Sequence, residues 1–174
     1  MNNTTTETNN LTLLNTAIKV ATSNWELQNT RLNGLLDKLT DEQLAAATAP
    51  KRNTGVYLLG HLTAVSDGMF TYLELGERLY PELDDIFLRN PETANLEKPS
   101  IIELKDAWNK VNTTLKQQMD KLSPADWFTK HSAISTEDFE KEPHRNKLNI
   151  LINRTIHQSY HLGQLVYLLQ KASV

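Results

Sequence analysis

Residues 11–39 read LTLLNTAIKVATSNWELQNTRLNGLLDKL. Leu11, Leu14, Ile18, Ala21, Trp25, Leu32, Leu35 and Leu39 recur at alternating steps of three and four, and Gln28 is the polar interruption on that stripe. A recurrence near 3.6 residues puts these side chains on one face of a helix. The spacing therefore predicts a long amphipathic helix, which needs other helices to cover it.

Working outward, Thr40-Asp41-Glu42-Gln43 is a capping-box pattern that stops the first helix and starts a short turn before Pro50. A second helix is expected from Asn53 or Thr54, with Leu58, Leu62, Val65, Met69 and Tyr72 on its apolar stripe and Gly76 as its stop. Residues 77–99 carry three prolines and no period. They are expected to form a long crossover with a helical turn over 82–88. Ser100-Ile101-Ile102-Glu103 is a second capping box, and it opens a third helix with Ile101, Leu104, Trp108, Val111, Leu115 and Leu122 on its stripe. Ser123-Pro124-Ala125-Asp126 ends it, and residues 127–146 read as irregular. A fourth helix is expected over 147–171, with Leu148, Leu151, Leu162, Leu165 and Leu169 among its apolar positions.

No strand-like alternation of useful length occurs. The expected fold is all-α, a four-helix bundle, and the connection between helices two and three is long enough to permit an up-down-down-up order. Residues 1–10, rich in Thr and Asn, are expected to be a disordered tail, and residues 11–174 one domain.

The chain carries 18 Lys and Arg against 21 Asp and Glu, a net charge of −3 with no basic run. That gives no electrostatic footprint for nucleic acid or an anionic membrane. It has no cysteine, which removes disulfides, thiolate zinc sites and cysteine nucleophiles together. The first ten residues lack the basic and apolar regions of a secretory signal, and no apolar run is long enough to span a bilayer. A cytoplasmic location is expected.

The chemistry concentrates in His157-Gln158-Ser159-Tyr160-His161-Leu162-Gly163-Gln164. Two histidines four apart on a helix lie one turn above each other on one face. They can converge on one cation, or pack as a hydrogen-bonded core pair, and spacing alone leaves both readings open. His61 falls between Leu58 and Val65, on the buried stripe of helix two, and is the natural third ligand from a facing helix. His131 and His144 sit in the irregular segment and receive no role. A zincin needs Glu directly after the first histidine as its general base, and here that position is Gln158. Gln164 is a candidate to orient His161 or a bound water, and equally a helix-surface glutamine. Gly163 is expected to permit close approach of another helix. Arg154, three residues before His157, and Tyr160 are within reach of the cleft, and the default reading of both is as ordinary surface or rim residues.

With Gly60-His61-Leu62 in helix two and His157-x-x-x-His161-x-Gly163-Gln164 in the last helix, the chain resembles the DinB-like (YfiT-like) family over about residues 11–171. The resemblance implies an up-down-down-up four-helix bundle, a homodimer, and a divalent metal, zinc or nickel, on His61, His157 and His161. It also implies a small-molecule substrate and thiol chemistry: transfer of a low-molecular-weight thiol such as bacillithiol to a small electrophile. A hydrolase using metal-bound hydroxide, or a metal-binding bundle without catalysis, are the alternatives.

Overall fold

A computed structural model describes the backbone of residues 2–172 and the side chains of residues 8–169. In chain order the helices are α1 (Asn2–Leu36), α2 (Asp41–Ala45), α3 (Gly55–Asp67), α4 (Met69–Tyr72), α5 (Ile101–Met119), α6 (Thr136–Lys141) and α7 (Lys147–Leu165). The described residues contain no strand, and isolated bridges pair Ala47 with Thr54 and Lys130 with Asn146. No helix among them is long and apolar enough to cross a membrane.

Both capping boxes form. Thr40 and Gln43 exchange side-chain and backbone hydrogen bonds at the start of α2, and Ser100 and Glu103 do the same at the start of α5. Thr54 caps α3 by accepting from the Tyr57 amide. The long helices pack α3 on α5, α1 on α7, and α3 on α7. One core cluster gathers Leu32, Leu59, Leu62, Phe87, Trp108 and Leu165, and a second gathers Trp25, Phe70, Val111, Leu115, Trp127 and Leu151. The polar interruption of the first stripe is itself buried, with Gln28 only 8% exposed. Trp108 is buried with its indole N–H spent on Asn33 Oδ1 at 2.7 Å, so its one polar atom is satisfied across α1 and α5.

Several elements differ from expectation. α1 begins at Asn2, so the segment read as a tail continues the helix, but residues 8–16 are all exposed. Leu11 and Leu14 are 51% and 38% exposed, because the stripe runs past the end of the helices that would cover it. The second helix breaks at Gly68 and ends at Tyr72, short of Gly76. The irregular stretch holds the short helix α6, opened by Ser135, whose hydroxyl accepts from the Asp138 amide. The α-helical part of the last helix ends at Leu165, and the chain tightens into a 3₁₀ helix over Val166–Ala172.

The crossover is fastened to the end of α3. Asp67 is fully buried, and its carboxylate accepts from the Leu79 and Tyr80 amides and from Arg78 Nε. The helical turn expected over 82–88 appears as a π-helical turn, Asp85–Arg89, and it lies against α3. Gly60 makes this approach possible: a Cβ there would sit 2.3 Å from Phe87 Cζ. Further on, Glu92 reaches back to accept from both the amide and the hydroxyl of Thr54, at 2.8 and 2.6 Å. Burial raises the Glu92 pKa, but the hydrogen bonds from Thr54 and Lys98 outweigh it and leave the carboxyl below its ordinary value. The crossover is thus pinned at both ends of α3.

Candidate metal centre

His61 projects from α3, and His157 and His161 from successive turns of α7. Their rings converge, with centroids 5.1 Å apart for His61–His157, 5.0 Å for His61–His161 and 4.5 Å for His157–His161. His157 Nε2 lies 3.2 Å from His61 Nε2 and 3.1 Å from His161 Nε2. Nitrogens bound to one cation at about 2.0–2.1 Å with tetrahedral angles stand roughly 3.3 Å apart. The three residues are partly buried, and each offers one nitrogen to a common point that could hold a metal ion.

The outer nitrogens explain which lone pairs face inward. His61 Nδ1 donates to the Phe87 carbonyl at 3.0 Å, and His161 Nδ1 donates to Gln164 Oε1 at 2.8 Å. An N–H on Nδ1 leaves neutral imidazole with its lone pair on Nε2, so both rings present acceptors to the shared point. His157 Nδ1 is buried without a hydrogen-bond partner among the described residues. Without a cation, His157 can donate to at most one neighbour, and the other inward lone pair stays unmet. A cation satisfies all three at once, so the donor set fits a divalent transition metal.

The surroundings favour the neutral form of His157 and His161. Burial, followed by repulsion from His161, His61 and Arg154, lowers the His157 pKa to about 4. Burial also lowers His161; the hydrogen bond to Gln164 works against that, and the neighbouring His61 ring adds to it. Neutral imidazole is the metal-binding form.

The structure brings together all three histidines of the sequence reading and sets Gln164 on the outer nitrogen of one of them. Gln158 faces away, 3% exposed, and donates to Asn29 Oδ1 on α1 at 2.9 Å. Gly163 does not serve close packing: nothing among the described residues lies within 4 Å of where its Cβ would be. Arg154 is partly buried and lines a cavity with Tyr72. Its Nε is buried without a hydrogen-bond partner, and its guanidinium stacks over Tyr72 at 5.5 Å. The Phe87 carbonyl was beyond sequence reasoning, since every residue carries one and only the fold selects which is used.

Two cavities are lined jointly by α3 and α7, and His161 borders one of them. One, about 180 Å³, is lined by His161, Gln164 and Tyr160 of α7 with Lys51 and Arg52 from the turn before α3. The other, about 170 Å³, lies towards Arg154 and Tyr72. Neither is lined by residues of the 127–146 segment, while the crossover supplies Arg78, Asp84 and Leu88 to the second.

No curated protein matches the chain. The family model of the DinB superfamily matches residues 24–165, a span that runs from α1 to the end of α7 and includes His61, His157, His161 and Gln164. The chain belongs to the DinB superfamily.

Proposed function

We propose that the chain is a divalent-metal-dependent enzyme that transfers a low-molecular-weight thiol to a small electrophilic molecule. The observation that carries this reading is the convergence of three imidazole nitrogens from α3 and α7 on one point. His61, His157 and His161 hold the metal, zinc or nickel, and Gln164 orients His161 through its Nδ1–H. When bound, a cation on three uncharged ligands supplies Lewis acidity, which favours deprotonation of a thiol or water near neutral pH. The chain has no cysteine, so the sulfur comes from a cofactor. A cytoplasmic setting, where small thiols are kept reduced, suits this chemistry.

A bundle order is part of this proposal, and paired residues support it. Asn33–Trp108 and Glu26–Lys116 run α1 and α5 in opposite directions. Asn29 of α1 pairs with Gln158 of α7, and Gln43, in the short helix after α1, meets Leu168, just past the end of α7, so α1 and α7 run in the same direction. His61 of α3 meets His157, and Glu74, beyond the end of α3, pairs with Lys147 at the start of α7, so α3 opposes α7. These relations support an up-down-down-up four-helix bundle. Homodimerisation is part of the proposal: α1 and α7 bound a groove of about 410 Å³ edged by Val20, Ile152 and Ile156, which are 58%, 43% and 63% exposed.

The test is turnover of a panel of small electrophiles by zinc- and nickel-loaded protein, with and without bacillithiol. Product that requires both metal and thiol is expected. Turnover independent of thiol overturns the transferase reading.

A further inference from the structure

A cavity of about 170 Å³ between α3 and α7 holds two arginines in very different states. Arg78 is paired with two carboxylates: Nη1 and Nη2 donate to the two oxygens of Asp84 at 2.6 and 2.5 Å, and Nε donates to Asp67 at 2.9 Å. Both carboxylates near it are therefore spent. Arg154, in the same cavity, has no hydrogen bond or ion pair among the described residues, and its Nε is buried. Leaving a guanidinium half-buried without an anion forgoes charge-assisted hydrogen bonds worth about twice a neutral one.

Its surroundings hold the fork in place. The face of the guanidinium lies over the Tyr72 ring, at 5.5 Å from the centroid. That contact uses the π face and leaves the planar N–H edge free for a bidentate acceptor. The remaining walls are Ala64, Val65, Gly68, Leu88 and Thr71, whose hydroxyl is the one polar side-chain group among them. Arg154 precedes His157 by three residues and Val65 follows His61 by four, so the cavity lies about one helical turn, roughly 5.4 Å, along the α3–α7 seam from the cluster.

We propose that Arg154 is the recognition group for a carboxylate, and that the ligand of the α3–α7 cleft is a small organic acid with a short apolar body. The carboxylate pairs with the free N–H edge of Arg154, and the apolar body lies along Ala64, Val65 and Leu88 towards the histidines. That this acid is the substrate rests on the functional reading above; the pocket itself needs no metal. Arg154 is a binding residue for the substrate class, separate from the three histidines and from Gln164.

The experiment titrates butyrate, and its uncharged isostere butyramide, into metal-free and zinc-loaded protein while the arginine Nε–H resonances are followed by NMR. The expected result in the metal-free protein is displacement of one arginine resonance by butyrate, with affinity at least tenfold above butyramide. That resonance is absent from R154M, and R154M binds butyrate at least tenfold more weakly; R154K, keeping charge but losing the fork, falls between. The wild-type resonance does not depend on either variant folding. Equal binding of butyrate and butyramide, or an unperturbed Arg154 resonance, overturns the proposal. Stoichiometric zinc with no response at Arg154 sinks this inference and leaves the functional reading standing. A response at Arg154 in protein that takes no zinc does the reverse.

Discussion

His61 and Phe87 are joined by a hydrogen bond from Nδ1 of the imidazole to the main-chain carbonyl, 3.0 Å long. The contact exists because Gly60, the residue before the histidine, has no side chain where the Phe87 ring rests. A glycine on α3 thus sets the depth of the crossover, the crossover carbonyl sets the tautomer of His61, and the tautomer aims its Nε2 lone pair at the other two rings.

Substitution G60A is accordingly expected to act at two levels. A Cβ 2.3–2.6 Å from three ring carbons of Phe87 forces the ring and its carbonyl outward. Overpacking of this kind costs about 1–3 kcal/mol. Loss of the outer hydrogen bond is expected to weaken zinc binding by roughly 10–100-fold. Chemical denaturation and zinc titration of the same variant measure the two effects separately.

Gly163 is expected to behave oppositely. It is exposed in the last helix with open space around it, so G163A gains helix propensity without a clash. A stability increase of about 0.5–1 kcal/mol is expected in denaturant unfolding. Destabilisation would show that a neighbouring helix, here one from a second copy, approaches that face.

The pH dependence of the metal-free protein follows from His157. Its pKa in the folded chain is about 4, against an ordinary 6.5. Between those values the unfolded chain binds more protons than the folded one, so this contribution to stability is complete above 6.5 and is lost as pH falls towards 4. The melting temperature of chelator-treated wild-type protein is expected to fall more steeply over that window than that of H157Q. Parallel profiles would contradict a neutral, buried His157.

Self-association is checked at the α1–α7 groove. Val20 lines it, more than half exposed and away from the histidines. V20D is expected to convert a dimer to a monomer in sedimentation while zinc stoichiometry stays unchanged. A wild-type protein that sediments as a monomer at micromolar concentration removes this element of the account.

Much of the site was legible because histidines obey the same period as the leucines around them. His61 sits three and four residues from Leu58 and Val65, and that spacing places it on the face that meets α7. The capping residues Thr40 and Ser100 were readable for a local reason, since their partners lie three residues away. Leu11 and Leu14 misled because period fixes a face and says nothing of whether another helix reaches it. Gly163 misled because a small residue is compatible with close packing without requiring it. The Phe87 carbonyl and the pairing of Arg78 with Asp67 and Asp84 are long-range choices made by the crossover. They leave Arg154 free, and no local pattern encodes them.

The most direct measurement is the metal content and zinc affinity of protein purified without chelators, beside the variant H157A. One equivalent of zinc or nickel per chain, a raised melting temperature on adding the metal, and loss of both in H157A are expected. Less than a tenth of an equivalent of any transition metal, with a melting temperature indifferent to zinc and nickel, would contradict the three-histidine centre.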